Sequence, residues 1–357
     1  MKLAPFSIAG RSIGPGAPVY IIAELSANHR QNQDAAMRLV RAAADVGADA
    51  VKLQTYTPDT ITIASDAPAF RHGDESLWAG TTLHDLYQDA YMPWEWQPRL
   101  KALAQELGLH CFSSPFDPTA VDFLVEMDVP AFKIASFELV DLPLIRRVAA
   151  AGKPMIMSTG MATEGEVDEA VAAARSAGAT EIALLKCTSA YPSPPEEVRL
   201  RAISAMQARW GLPVGLSDHT SGHVMPVAAV ALGACIVEKH FTLSRSDPSP
   251  DAPFSLEVDE FRSMVRAIRD TEAALGGPAT LEPTPGEEGS RQFRRSLFVV
   301  QDVAAGEPLT PTNVRSIRPA TGLHTRDYER VLGRRAVRAI PRGTPLSWDL
   351  LEPSDPL

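Results

Sequence analysis

The stretch VGLSDHTSGH, residues 214–223, is a short apolar run that breaks abruptly into Ser217, Asp218, His219 and Thr220. A buried strand has little reason to end in such a cluster unless its end lines a polar opening. Seven further runs share the pattern: VYIIAE (19–24), AVKLQ (50–54), LHCFSS (109–114), AFKIAS (131–136), PMIMS (154–158), EIALLK (181–186) and CIVEKH (235–240), with PVGLS (213–217) completing the set. Near-continuous apolar runs of this length suit parallel strands covered on both faces.

Between the runs lie stretches of helical period, AAMRLVRAAADVGA, WQPRLKALAQELG, VDEAVAAARSAG and EVRLRAISAMQARWG, several closing on glycine as helix ends do. Strands alternating with helices predict an α/β fold, a TIM (β/α)8 barrel. An open doubly wound sheet would carry fewer strands and a Gly-rich first turn, which is absent. Residues 55–92 interrupt the rhythm after the second strand, on the mouth side where long loops shape substrate pockets; Trp78, Trp94 and Trp96 are expected to pack this insertion onto the barrel. The stretch 276–292 is rich in Pro, Gly and Glu. The expected division is a barrel over 1–279, a linker over 280–292 and a small irregular β domain over 293–357, with a loose repeat between VAAGEPLTPTNV (303–314) and AIPRGTPLSWDLL (339–351).

Composition narrows function. The chain has 357 residues, 45% hydrophobic and 22% charged, with a formal net charge of −10, which argues against a nucleic-acid or anionic-membrane surface. Cys111, Cys187 and Cys235 are odd in number and sit in apolar runs, as buried thiols do in a reducing compartment. The longest apolar run, MPVAAVALGACIV, is shorter than a membrane span, and the first residues lack a signal core, so a cytoplasmic location is expected.

A barrel builds its site at the C-terminal strand ends. Those ends read Glu24; Lys52 and Gln54; Ser113 and Ser114; Lys133 and Ser136; Ser158 and Thr159; Lys186, Thr188 and Ser189; Ser217, Asp218 and His219; Glu238 and His240. Strand parity puts Lys52 with Gln54, and Glu238 with His240, on one face, with Leu53 and Lys239 on the other. Three lysines among hydroxyls predict an anionic ligand, phosphate above all. Lys52 and Lys133 have a second reading as ion-pair partners of Glu24 or Glu238, and the serines a second reading as helix caps. His219 and His240 end adjacent strands and could hold a divalent metal with positions left open, with Glu24 a possible third contact.

With those residues in view, the chain resembles the sialic acid synthase family, through IIAELSANH, GADAVKLQ, FSSPFD, FKIASFE, STGMA, LLKCTSAYP, GLSDHT and VEKHFTL, and through a tail similar to the antifreeze-like (SAF) domain. KLQTYTPDTIT, LWAGTTLHDLY and PWEW are variants of its pseudaminic acid branch. The resemblance implies a transferase that condenses phosphoenolpyruvate with 2,4-diacetamido-2,4,6-trideoxy-altrose, or alternatively with N-acetylmannosamine or the legionaminic acid precursor. It implies manganese, with magnesium or cobalt as substitutes, on His219 and His240. Lys52, Ser114, Lys133, Ser136, Ser158, Ser189 and Ser217 would hold phosphoenolpyruvate; Glu24, Gln54, Tyr191 and Asp251 would face the sugar. Arg318 would reach the barrel mouth of the partner in a domain-swapped homodimer. Arg30 after the Asn-His pair, Ser189 in place of an asparagine, and the absence of glycines before Asp251 depart from the family pattern.

Overall fold

The computed structural model describes residues 3–73, 79–277 and 279–353; Trp78 lies outside them. Eight parallel strands close into a barrel: β1 (Tyr20–Glu24), β2 (Ala50–Thr55), β3 (His110–Pro115), β4 (Phe132–Ile134), β5 (Met155–Ser158), β6 (Ile182–Cys187), β7 (Val214–Asp218) and β8 (Ile236–His240), each paired with its sequence neighbours and β8 with β1. All eight predicted strands form. β4 stops at Ile134 rather than Ser136, because the chain turns there into a 3-10 segment, Phe137–Val140.

Register fixes which side chains enter the barrel. Glu24 pairs with Lys52 and with His240, Gln54 with Ser114, Cys187 with Ser217, and Ser217 with Glu238. Laterally paired residues share a face, so these positions and their neighbours two along form the interior. Below them, Tyr20, Ile22, Phe112, Ile156 and Leu185 fill the floor, joined in one apolar cluster by Phe6, Ile8 and Ile13 of the N-terminal segment. That segment is a small hairpin, Ser7–Ile8 against Arg11–Ser12, anchored by the Ser7 amide on Glu181 Oε1 at 2.8 Å.

Several helices begin where a side chain satisfies a free amide. Asn32 caps α1 (Gln33–Asp45) by accepting from the Ala35 amide, and Thr163 with Glu166 forms a reciprocal cap on the helix Glu164–Ser176. The segment predicted as one helix over 197–211 is helical only over Ala202–Trp210: Arg199 takes a left-handed backbone (φ 50°) that interrupts it. In the insertion, Trp94 donates to the Tyr56 carbonyl at 3.0 Å and stacks near Phe123, while Trp96 meets His29 edge-on, so both pack as expected.

The chain divides into two compact units, 1–277 and 278–357. Within the second, the stretch read as a linker carries a short helix, Pro285–Glu288. Antiparallel β9 (Ser296–Val299) and β10 (Val314–Ile317) follow, over a core that includes Leu297, Val299, Leu309 and Leu346. The sequence repeat is structural. Val303 and Ile340, equivalent positions in the two copies, exchange backbone hydrogen bonds of 2.8 and 2.9 Å, and Leu309 and Leu346, also equivalent, are both buried. Among the described residues no helix is long and apolar enough to cross a membrane.

Candidate active site

Four charged residues meet inside the barrel. Lys52 Nζ lies 2.5 Å from Glu24 Oε2 and 3.6 Å from Glu238 Oε1, and Lys133 Nζ lies 3.4 Å from Glu238 Oε1. All are buried. Burial lifts the Glu24 pKa to about 7 against the pull of Lys52, whereas for Glu238 burial is outweighed by Lys133 and Lys52 and the carboxyl stays below its usual range. Burial also pushes the Lys133 ammonium below its usual pKa. The geometry shows the ion-pair reading of the lysines: each ammonium stands within 4 Å of a carboxylate.

Hydroxyls ring this cluster. Ser114 Oγ is 3.4 Å from Lys52 Nζ, and Ser217 Oγ donates to Glu238 Oε1 at 3.3 Å. Ser158 Oγ is buried with no hydrogen-bond partner, an open valence directed into protein. The Gly160 amide donates to Ser136 Oγ at 3.2 Å, and a Cβ on Gly160 would stand 2.2 Å from Ser189 Oγ. Glycine at 160 is what lets the hydroxyls just beyond β4 and β6, Ser136 and Ser189, converge over the end of β5.

Two corrections follow from register. Lys186 does not join the other two lysines inside the barrel: Cys187 is the inward residue of β6, and the Lys186 ammonium folds outward onto the Cys187 carbonyl at 2.5 Å and Thr188 Oγ1 at 3.2 Å. The chamber thus holds two lysines. Ser113 and Asp218 also face outward; Ser113 shares a 2.6 Å hydrogen bond with Thr55, and Asp218 forms a 2.5 Å ion pair with Lys239, both among barrel-wall residues.

Toward the mouth, His219 and His240 face one another with ring centroids 5.3 Å apart. His219 Nδ1 bonds the Thr188 carbonyl at 2.8 Å, which as a carbonyl only accepts, so Nδ1 carries the proton and Nε2 its lone pair. Burial opposes charge on this ring, but Cys187 and the Thr188 carbonyl hold its pKa above the usual value. His240 is pushed well below it, by burial first and by its cationic neighbours, so it is neutral; its buried Nδ1 has no hydrogen-bond partner. A neutral imidazole with an orphaned buried nitrogen opposite a second oriented imidazole fits a divalent ion that keeps open positions. No group of three or more His, Cys, Asp or Glu residues with metal-ligand geometry occurs among the described residues.

On the same side, Gln54 donates to Glu24 Oε1 and to Ser26 Oγ, each at 3.0 Å, and Ser26 in turn bonds Asp251. Burial raises the Asp251 pKa. The Tyr191 ring packs 4.4 Å from His219 and 5.2 Å from Phe254, which also stands 4.9 Å from His240. Of the sequence-derived residues, thirteen lie in the barrel unit; Arg318 lies in the second unit, exposed, directly after β10. Sequence reasoning passed over Ser26, Glu138, Cys187 and Phe254. Glu138, two positions beyond Ser136, has an unpartnered buried oxygen and a pKa that burial raises to about 7, and its place just past a strand end was the available signal. Phe254 sits on a short 3-10 turn with no periodicity to mark it.

Comparison with known proteins agrees with this architecture. Residues 39–280 match the NeuB family, and residues 294–352 match the SAF domain. The chain is 43% identical to the pseudaminic acid synthase of Helicobacter pylori over 94% of this chain and 99% of the relative, and 33% identical to the N,N'-diacetyllegionaminic acid synthase of Legionella pneumophila over 95% and 96%. The crystal structure of the spore coat polysaccharide biosynthesis protein SpsE of Bacillus subtilis superposes with a TM-score of 0.67 at 36% identity, covering 99% of this chain and all of that one. On the strength of a family match across most of the chain, and of relatives this similar along almost its whole length, the protein belongs to the NeuB family.

Proposed function

We propose that the protein is a pseudaminic acid synthase, condensing phosphoenolpyruvate with 2,4-diacetamido-2,4,6-trideoxy-altrose. The observation that carries this reading is the placement of two facing imidazoles directly above a hydroxyl-ringed chamber holding Lys52 and Lys133. The branch rests on the 43% identity to a relative of that activity.

In this reading Lys52, Lys133, Ser114, Ser136, Ser158, Ser189 and Ser217 bind phosphoenolpyruvate, with ammonium groups and hydroxyls meeting its phosphate and carboxylate. His219 and His240 would hold the divalent ion, manganese or in its place magnesium or cobalt, which supplies Lewis acidity to the sugar aldehyde. Glu24, Gln54, Tyr191 and Asp251 orient the acceptor so that its aldehyde carbon lies in reach of C3 of phosphoenolpyruvate. C3 bonds to that carbon, water adds at C2, and phosphate departs with cleavage of its C–O bond. No side-chain nucleophile is needed for these bond changes, because C3 of phosphoenolpyruvate and water supply both attacking atoms. Arg318 of a swapped partner would complete the acceptor pocket, making the working unit a homodimer in the cytoplasm.

The test is phosphate release from phosphoenolpyruvate with the deoxy altrose and, separately, with N-acetylmannosamine and the legionaminic acid precursor, each with manganese and with chelator. Metal-dependent release with the first sugar is expected. Release with another sugar alone would keep the chemistry and move the chain to a different branch, the alternative that the legionaminic acid relative favours.

A further inference from the structure

The outward turn of Lys186 leaves a cation on the far side of the barrel wall. There, at the mouth end between β6 and the helix Ala202–Trp210, opens a cavity of about 650 Å3, within the range of small-molecule sites. Lys186, Arg199 and Arg209 line it. Arg209 is neutralised by Asp168 at 2.6 Å and Glu164 at 3.2 Å. Among the described residues neither Lys186 nor Arg199 has a carboxylate within ion-pair distance, and Glu197, the other acid in the wall, pairs with neither. The two cations line one cavity, and burial lowers the Lys186 pKa, with Arg199 pushing the same way against Cys187. Met206 and Trp210 add apolar surface to the lining.

We propose that this cavity is a second binding site, taking a small organic oxyanion whose charged end bridges Lys186 and Arg199 and whose apolar part lies against Met206 and Trp210. Like charges left facing each other across a cavity are relieved by an anion between them. The site adjoins the catalytic chamber, since Cys187 and Ser189, the latter given to phosphoenolpyruvate in the proposed function, line it as well. Thr188 Oγ1, which Lys186 engages, bonds the Glu197 carbonyl at 3.3 Å, and the Thr188 carbonyl receives the His219 proton. A ligand that draws Lys186 away from Thr188 therefore acts on the residue that orients His219, whichever sugar the barrel accepts.

The experiment is calorimetric titration with phenyl phosphate and, in a second arm, with benzoate, on protein already saturated with phosphoenolpyruvate and manganese so that the barrel is filled. One equivalent of at least one probe is expected to bind, and the arm that binds identifies the head group as phosphate or carboxylate. The double variant K186M/R199M should bind at least about tenfold more weakly while still releasing phosphate from phosphoenolpyruvate. R199M alone, at an exposed position that folding tolerates, should show the same direction. Absence of binding in both arms, or unchanged affinity in R199M and the double variant, overturns the proposal.

Discussion

Lys52 Nζ stands 2.5 Å from Glu24 Oε2 with both side chains almost wholly out of water, 4% and 1% exposed. An ion pair placed so deep draws its strength from being complete. Removing one member leaves the other out of water and without its nearest countercharge: Glu24 keeps only neutral donors such as Gln54, and Lys52 only Glu238 at 3.6 Å.

Lys52→Met is accordingly expected to destabilise the barrel by about 3–5 kcal/mol in denaturant unfolding. The double variant K52M/E24Q should recover a good part of that loss, because the stranded carboxylate is gone. Additive effects would show that the two residues do not act as a pair.

His219→Ala and His240→Ala should each lower manganese-stimulated phosphate release by about a hundredfold or more while leaving the circular dichroism spectrum unchanged. Calorimetry should show weakened manganese binding in parallel, and chelation of the wild type should reproduce the loss. Either variant retaining full metal-stimulated turnover would remove that residue from the metal site.

Gly160→Ala introduces a methyl carbon 2.2 Å from Ser189 Oγ and 2.8 Å from Ser136 Oγ. Spreading these hydroxyls should raise KM for phosphoenolpyruvate roughly tenfold, in line with overpacking costs of about 1–3 kcal/mol, with little change in KM for the sugar. A larger effect on the sugar would reassign the two serines.

His29 is fully buried, and burial depresses its pKa from 6.5 to about 4. The folded state therefore refuses a proton that the unfolded chain accepts. Stability attributable to this ring is complete above pH 6.5 and drains away as pH falls toward 4, by about 3 kcal/mol at the limit. Unfolding of wild type against H29Q across that window should reveal the extra slope in the wild type alone.

Arg318→Ala should raise KM for the sugar and leave that for phosphoenolpyruvate nearly unchanged. If the proposed dimer swaps this arginine between subunits, mixing R318A with H240A chains should restore roughly a quarter of wild-type activity, since half the dimers are mixed and each carries one intact site. No recovery on mixing would place Arg318 in its own subunit's site or in none.

The barrel was legible from residue order because each strand is an apolar run with a polar end, and parity then sorted Lys52 from Leu53 and His240 from Lys239. Lys186 defeated that reasoning for a local reason. The run EIALLK reads as finishing at the lysine, but the strand continues to Cys187, whose pairing with Ser217 turns the thiol inward and the ammonium out. Helical period over 197–211 likewise concealed the break at Arg199, since a left-handed residue leaves no trace in the spacing of apolar positions. Glu138 and Phe254 stand on turns, where neither period applies. Their positions depend on contacts between distant segments, which no local pattern encodes.

The ion pair between Lys239 and Asp218 lies behind the two imidazoles, on the helix-facing side of the wall. Lys239 precedes His240, Asp218 precedes His219, and the same ammonium also takes the Thr220 carbonyl just beyond His219. The gap between the rings is thus laced shut from outside, by a tether that touches neither imidazole nor anything held between them. Under the proposed metal role, an ion in that gap would meet jaws of preset width, and an engineer wishing to retune ion size would edit the tether before the jaws.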